Sequence, residues 1–393
     1  MYITCCHLVE EYAKNLGVKI GKPVLTEHFF PVIPDKYITV SVESQIQSKQ
    51  YKYFDVVFDS IRSTLQKQSI KIIQIGSSKS PKLSSVDEMI FDLDFKKQAY
   101  IVQNSLMHIG CNDALMHYAS FNQVPIVALF GDSYAACCDG YWSSPENKTN
   151  IEAPWKVKPS FNVVDQHDSI NKILPEDIAS AIIKKIAPDK SIPLKTRFIG
   201  DFYHHPVFEL VPDFFEQIPG MSEKHWFMRL DYLDSHSYVE MWCEYLPSFS
   251  FFADKMIPHQ FIQKLRGKLK SISFFLDEQS SISHDYLNYI GGLGIAVNLL
   301  VKDSATLPKI RDKYFDFNVQ VYVGADKSIL KDKKINFNKS SFHSNKTILS
   351  RGKKYPSTYH WKKGENILDK NLIIEDNELL LSELNHFYIY DTK

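Results

Sequence analysis

Cysteine is scarce in this chain and is spaced in ways that build nothing covalent. The six cysteines, Cys5, Cys6, Cys111, Cys137, Cys138 and Cys243, form two adjacent pairs and no C-x-x-C. That excludes a disulfide framework and the usual zinc and redox spacings, and Cys111 reads as a core residue. No apolar run is long enough to cross a bilayer, and the N-terminus lacks the basic-then-apolar shape of a secretion signal. An excess of one charge is missing too: 46 basic residues balance 46 acidic ones, so no global field drives the chain onto nucleic acid or an anionic membrane. These absences describe a cytoplasmic protein with free thiols. What the chain has is length, 393 residues, enough for two domains that each bury a core.

Apolar runs alternate with stretches of helical period. Lys36–Val42 (KYITVSV) reads as a strand, Tyr53–Lys67 as a helix, and Ile70–Ile75 as a buried strand ending at Gly76-Ser77-Ser78. A short strand at Met89–Phe91 and a helix over Phe95–Gln103 follow. A loop rich in Pro, Ser and Asn is expected over Ser143–Ser160, then a closing helix over Pro175–Ile186. This alternation predicts a parallel, doubly wound sheet. Pro188–Pro193 reads as a linker between a domain at 1–190 and another at 194–393. In the second half, His225–Leu230, Phe249–Ala253, Ser271–Leu276, Ile295–Val301 and Val319–Val323 read as strands. Pro258–Leu269 and His284–Ile290 read as helices among them, and the region from Ala325 as a polar, basic tail. The fold class is therefore α/β with two Rossmann-like domains.

The densest segment is His108–Tyr134, HIGCNDALMHYASFNQVPIVALFGDSY. It sets a strand end, the polar turn Cys111-Asn112-Asp113, a helix over Ala114–Phe121, the apolar strand Pro125–Phe130 and a glycine turn in one unit. Ligands of open parallel sheets sit beyond strand carboxyl ends, where loops meet helix N-termini. Asn112-Asp113-Ala114-Leu115-Met116-His117, followed by Pro125-Ile126-Val127-Ala128-Leu129-Phe130-Gly131, resembles the donor-site signature of family-9 glycosyltransferases, the ADP-heptose:lipopolysaccharide heptosyltransferase type, D-[ST]-G-x-x-H-x-A and then P-x-[VI]-x-L-[FY]-G-x-[ST]. Ser48-Lys49 after the first strand stands where that family places a phosphate-binding lysine. Leu174-Pro175-Glu176-Asp177-Ile178 resembles its closing helix. The resemblance covers about Pro31 to Ile186, the donor half of a GT-B fold. It departs at Asn112, Asp113 and Ala114, where the family has Asp, Ser/Thr and Gly; a carboxylate at 113 repels a diphosphate unless it is paired or turned away.

The resemblance implies a nucleotide-diphosphate sugar as donor substrate, no cofactor and no metal, and a glycan or lipid-linked acceptor of lipopolysaccharide type. It puts the donor half first, so the domains stand in permuted order, or a partner chain completes the enzyme. Donor-binding candidates are Ser48, Lys49, Gly76, Ser77, Asn112, Asp113, Ala114, His117, Gly131 and Ser133. Lysine is a point charge suited to a leaving diphosphate, and His117 is a donor to a phosphate oxygen. The catalytic base is unknown: no segment before Pro31 matches the family's aspartate, and Asp231, Asp234 and Asp254 read first as turn or cap residues. His204-His205 with Glu209 reads as no metal site, because adjacent strand residues face opposite sides. Lys346–Lys363 interleaves six basic residues with Tyr355, Tyr359 and Trp361, which reads first as a solvated loop on a neutral protein, although the composition also suits nucleic acid. Two further readings stay open: a non-catalytic binding or scaffold protein with a degenerate donor site, and a glycosyltransferase acting on nucleic acid.

Overall fold

The computed structural model describes residues 6–32, 34–42, 45–154, 158–165, 167–198, 205–233, 235–322, 340–364 and 386–390. Two compact units divide between Thr196 and Arg197, with strand β7 (Leu194–Phe198, numbered in chain order after the six strands of the first unit) running through the division.

The first unit begins with helix α1 (Leu8–Leu16), stopped by Gly17 in the left-handed conformation at φ 65°. Then come β1 (Tyr37–Ser41), α2 (Phe54–Lys67), β2 (Lys71–Gly76), β3 (Glu88–Phe91), α3 (Phe95–Gln103), β4 (His108–Cys111), α4 (Ala114–Phe121), β5 (Ile126–Phe130), α5 (Ala135–Cys138), β6 (Lys148–Glu152) and α6 (Pro175–Ile186). The six strands lie in the order β3-β2-β1-β4-β5-β6, every pair parallel. The winding therefore reverses between β1 and β4, the position where open α/β sheets leave a crevice beyond the strand ends. The central strands read as continuous apolar runs because both faces are covered. One face packs α3 and α4 through Ile101, Val102, Met116 and Ala119; α2 and α6 bury Phe54, Phe58, Ile61, Ile178 and Ile182. The polar Lys148–Glu152 segment, expected to be loop, is an edge strand paired with β5 from Ile126↔Lys148 to Phe130↔Glu152. Its residues carry little apolar signal because an edge strand needs less of it.

The second unit holds β8 (Val207–Leu210), β9 (Trp226–Arg229), α7 (His236–Tyr245), β10 (Phe249–Ala253), α8 (His259–Leu265), β11 (Leu269–Leu276), α9 (His284–Gly292), β12 (Ala296–Val301), α10 (Leu307–Lys313), β13 (Val319–Val321), β14 (Ser340–His343), β15 (Lys346–Ser350), β16 (Lys353–Tyr355), α11 (Thr358–Lys363) and β17 (His386–Tyr390). Its main sheet runs β13-β12-β11-β10-β9-β8-β15-β16, parallel except for the β15–β16 pair. From β8 to β13 the strands follow chain order, so every crossover advances the same way. Right-handed crossovers then put α7 to α10 on one face, and one core gathers Trp242, Ile262, Ile290 and Ile310 against Phe249, Phe251, Phe274 and Leu299. The stretch read as a basic tail thus supplies β15, β16 and α11, with Ile348 and Leu349 buried. Within it Arg351, Lys353, Lys354, Lys362 and Lys363 are exposed, while its aromatic residues and Lys346 are engaged by the fold. Tyr355 and Tyr359 are buried, Trp361 stacks on Tyr232 at 4.7 Å, and Lys346 pairs with buried Glu209 at 3.2 Å.

Candidate functional site

The crevice at the β1/β4 reversal is built from strand ends. Ser41 ends β1, and Asp113 follows β4 as the N-cap of α4, taking the Met116 amide at 2.8 Å on Oδ1. The Ser41 hydroxyl donates to Asp113 Oδ2. The carboxylate that a diphosphate would otherwise meet is therefore already engaged on both oxygens. The same turn helps to shape a cavity of about 470 Å³ beyond β1 to β4, with Ser41, Gly76, Ser77, Ser80, Asp92 and Gln98 among its polar walls and Leu93, Phe95 and Leu115 among its apolar ones. Among the described residues, no lysine or arginine lines it. Hydroxyls, an amide and carboxylates around an apolar floor suit a neutral polyol with a flat ring better than a phosphate.

The cationic side of the site lies across the β4–α4 turn. Lys49, at the end of a short 3-10 turn, donates from Nζ to the Asn112 carbonyl at 2.7 Å. Asn112 in turn points Oδ1 at His117 Nε2, 3.1 Å away, and donates from Nδ2 to Cys138 Sγ at 3.1 Å. The Cys138 thiol donates to Ser133 Oγ at 3.2 Å, and Ser133 donates to Asp132 Oδ1 at 3.0 Å. Ser48 closes the chain with a 3.2 Å bond to Asp132 Oδ2. Burial pushes the Cys138 thiol's pKa up, which keeps its proton in place for this bond. Burial also holds the His117 imidazole below its ordinary value, with Asp113 pulling the other way, so at neutral pH the ring is neutral. With Asn112 Oδ1 facing it, Nε2 carries the one ring proton and Nδ1 is an acceptor.

Nine of the ten sequence candidates therefore fall into two adjoining groups. Gly76, Ser77, Asp113 and Ala114 line the cavity. Lys49, Asn112, His117 and Ser133 belong to the polar network beside it, and Ser48 belongs to its buried end. Gly131 has a different task. A Cβ there would overlap the Ile170 side chain and come within 2.8 Å of Ile170 Cα, so the absence of a side chain admits the neighbouring Ile170. Sequence reasoning missed Ser41, Asp92, Asp132 and Cys138. Ser41 was the legible one, as the last residue of the strand at the reversal; the others depend on pairings that no spacing reveals.

Candidates elsewhere are accounted for by their neighbours. Asp231 takes the Arg229 guanidinium on both oxygens, at 2.8 and 2.6 Å. Asp254 is exposed, and Asp234 and His204 lie outside the described residues. Glu209 is fully buried between Arg229 and Lys346. Among the described residues, no group of three or more His, Cys, Asp or Glu is placed to hold a metal ion, five cysteines are free, and no helix is long and apolar enough to cross a membrane.

No protein-family profile matches the chain, and no curated protein matches it. Solved structures do resemble it over part of its length. A family 9 glycosyltransferase from Veillonella parvula is 14% identical, with a TM-score of 0.33, over 46% of this chain and 50% of that one. The iron-containing dodecameric glycosyltransferase TibC from enterotoxigenic E. coli is 14% identical, with a TM-score of 0.35, over 43% and 52%. The E. coli heptosyltransferase WaaC, solved with ADP, is 13% identical, with a TM-score of 0.31, over 45% and 54%. The chain spans about half the length of each. The case for a function rests on the site's own residues.

Proposed function

We propose that the first unit binds a nucleoside diphosphate sugar and that the protein transfers its glycosyl group to an acceptor hydroxyl, of a glycan or lipid-linked saccharide. The observation that carries this reading is the fixed Lys49 ammonium, 2.7 Å from the Asn112 carbonyl. It stands at the turn into α4 beside His117 and next to a cavity walled by hydroxyls and carboxylates. The cavity suits ribose and base, with Asp92 and Ser77 as acceptors for ribose hydroxyls. The diphosphate then lies toward Lys49 and His117. In the transfer, the acceptor oxygen forms a bond to the anomeric carbon while the bond from that carbon to the diphosphate breaks. The electron pair leaves with the diphosphate, where Lys49 stabilises the charge without a resident metal, joined by His117 once that ring is protonated or released from Asn112. No residue is assigned as the base that takes the acceptor's proton.

The test is a thermal-shift screen against ADP, UDP, GDP, CDP and TDP and their sugar conjugates, with Lys49→Ala alongside. A ligand at a hundred times its Kd stabilises the native state by about 2.7 kcal/mol, which raises the melting temperature visibly. One nucleotide-specific shift, lost in Lys49→Ala, is expected. No shift with any of them overturns the reading.

A further inference from the structure

The Lys49 turn has little structure of its own, and its position comes from a distant part of the chain. Asn171 is wholly buried and reaches into the turn from both sides. Its Oδ1 accepts the Lys52 amide at 2.8 Å, and its Nδ2 donates to the Gln50 carbonyl at 3.0 Å. The same Nδ2 bonds Asp168 Oδ1 at 2.8 Å, while Asp168 Oδ2 receives Lys52 Nζ at 2.9 Å. Tyr51 reaches the Ile173 carbonyl at 3.0 Å, the Ser48 amide bonds the Val163 carbonyl at 3.0 Å, and Gln47 Oε1 accepts the Asp165 amide at 2.9 Å. Asp168 holds a left-handed backbone, φ 45° and ψ 46°, a conformation that aspartate tolerates better than most non-glycine residues. Behind this segment, Ile170 lies against Gly131, where no side chain would fit. The glycine of the β5 turn thus seats Ile170; Asp168–Ile173 holds Gln50, Tyr51 and Lys52, Val163 and Asp165 hold Ser48 and Gln47, and the Lys49 side chain reaches Asn112.

We propose that Asp168–Ile173 is a positioning strap for the diphosphate site and that Asn171 is its positioning residue, setting where the Lys49 ammonium stands. This rests on the donor-site reading above. Two backbone groups flanking Lys49, the Gln50 carbonyl and the Lys52 amide, share one side chain, so removing the amide frees the turn on both sides at once. A shift of the ammonium by about an ångström is enough to weaken a charge-assisted contact severely.

The experiment is a double-mutant cycle of Asn171→Ala and Lys49→Ala. Its readout is the affinity for whichever of ADP, UDP, GDP, CDP and TDP binds the wild type best. Asn171→Ala is expected to weaken binding about tenfold or more and to cost nothing further in the Lys49→Ala background, because its effect passes through Lys49. A merely structural role would add to the Lys49 effect. If Asn171→Ala fails to fold, Lys52→Met carries the test. That side chain is 43% exposed, and losing its pair with Asp168 is expected to show the same direction and the same non-additivity. Unchanged affinity in the strap variant, or fully additive losses, overturns the strap while Lys49 sensitivity keeps the donor site standing. Binding that is absent in the wild type or insensitive to Lys49→Ala overturns the donor site and the strap together.

Discussion

The two units show that topology places a crevice but side chains decide whether it stays open. In the first, the winding reverses between β1 and β4, and the strand ends there carry Ser41, Asp113 and the cavity. In the second, a change of direction falls between β8 and β15, and that place is filled. Arg229 sits 4% exposed with its guanidinium 2.6 Å from Glu209 and from Asp231, and 3.7 Å from the centre of the Tyr232 ring. Tyr232 stacks on Trp361 and bonds Thr358 at 2.9 Å; Trp361 bonds Ser350 at 2.9 Å, and Ser350 bonds Asp213 at 2.5 Å. Side chains pack this place shut, whereas at the reversal of the first unit the strand ends leave a cavity of about 470 Å³. The open crevice is therefore at the first unit's reversal, and the second unit's reversal is a structural joint.

The largest effect expected from breaking this contrast is Arg229→Ala. It leaves the Glu209 carboxylate buried with Lys346 alone, and removing one member of a buried ion pair costs about 3–5 kcal/mol. Urea unfolding of the variant measures it. A loss under about 1 kcal/mol, typical of surface changes, would mean that the joint is open to solvent and that the two reversals are alike. Gly131→Ala comes next. Its methyl has to displace Ile170, a small overpacking that costs about 1–3 kcal/mol. Weaker nucleotide binding is expected alongside the lower melting temperature. A variant as stable as the wild type would show that the β5 turn has slack and that glycine there serves the ligand directly.

How much of this was legible in the sequence follows from which forces leave a one-dimensional trace. The central strands of the first unit were legible because burial on both faces turns them into apolar runs, as in Ile126–Phe130. Helix α4 was legible because Asp113 is an N-cap and the apolar residues behind it keep helical spacing. The strand Lys148–Glu152 left no such trace, since its pairing with β5 is supplied by the neighbour. Lys346 was illegible for a related reason: it looks like a surface cation, as Lys353 and Lys354 are, until Glu209, over a hundred positions away, is seen beside it. Helix α7 escaped notice because its sequence, HSYVEMWCEY, mixes Trp242 and Cys243 in the core with Glu240 and Glu244 outside. At the site, motif resemblance named Lys49 and His117, which meet around Asn112, and Gly131, which faces Ile170. Asn171 has no local signature at all, because both of its backbone partners lie some 120 positions earlier.

Two smaller effects depend on pH and sharpen the contrast from the side of the open crevice. His108, wholly buried in β4 and bonded to Thr39 at 2.9 Å, has its pKa lowered by burial, with Asp113 opposing. The unfolded chain therefore binds the proton more readily than the folded one. Its contribution to stability is present above the unfolded value of about 6.5 and is lost as pH falls through the lower folded value. His108→Gln is expected to flatten the melting-temperature profile in mild acid, and an unchanged profile would move that titration elsewhere. His117 gives the gentler and more telling effect. As a neutral ring it donates to Asn112 and offers a phosphate only the lone pair of Nδ1, so it can donate to the ligand on protonation or after releasing Asn112. Protonation supplies a second N–H and a charge, so nucleotide affinity is expected to rise as pH falls toward the lowered pKa of this ring. By linkage the bound ligand raises that pKa in return. His117→Ala should remove the pH dependence while Lys49→Ala keeps it. A profile unaffected by His117→Ala would leave Lys49 as the one side chain of the site that meets the diphosphate as a cation, and would assign His117 to holding Asn112 in place.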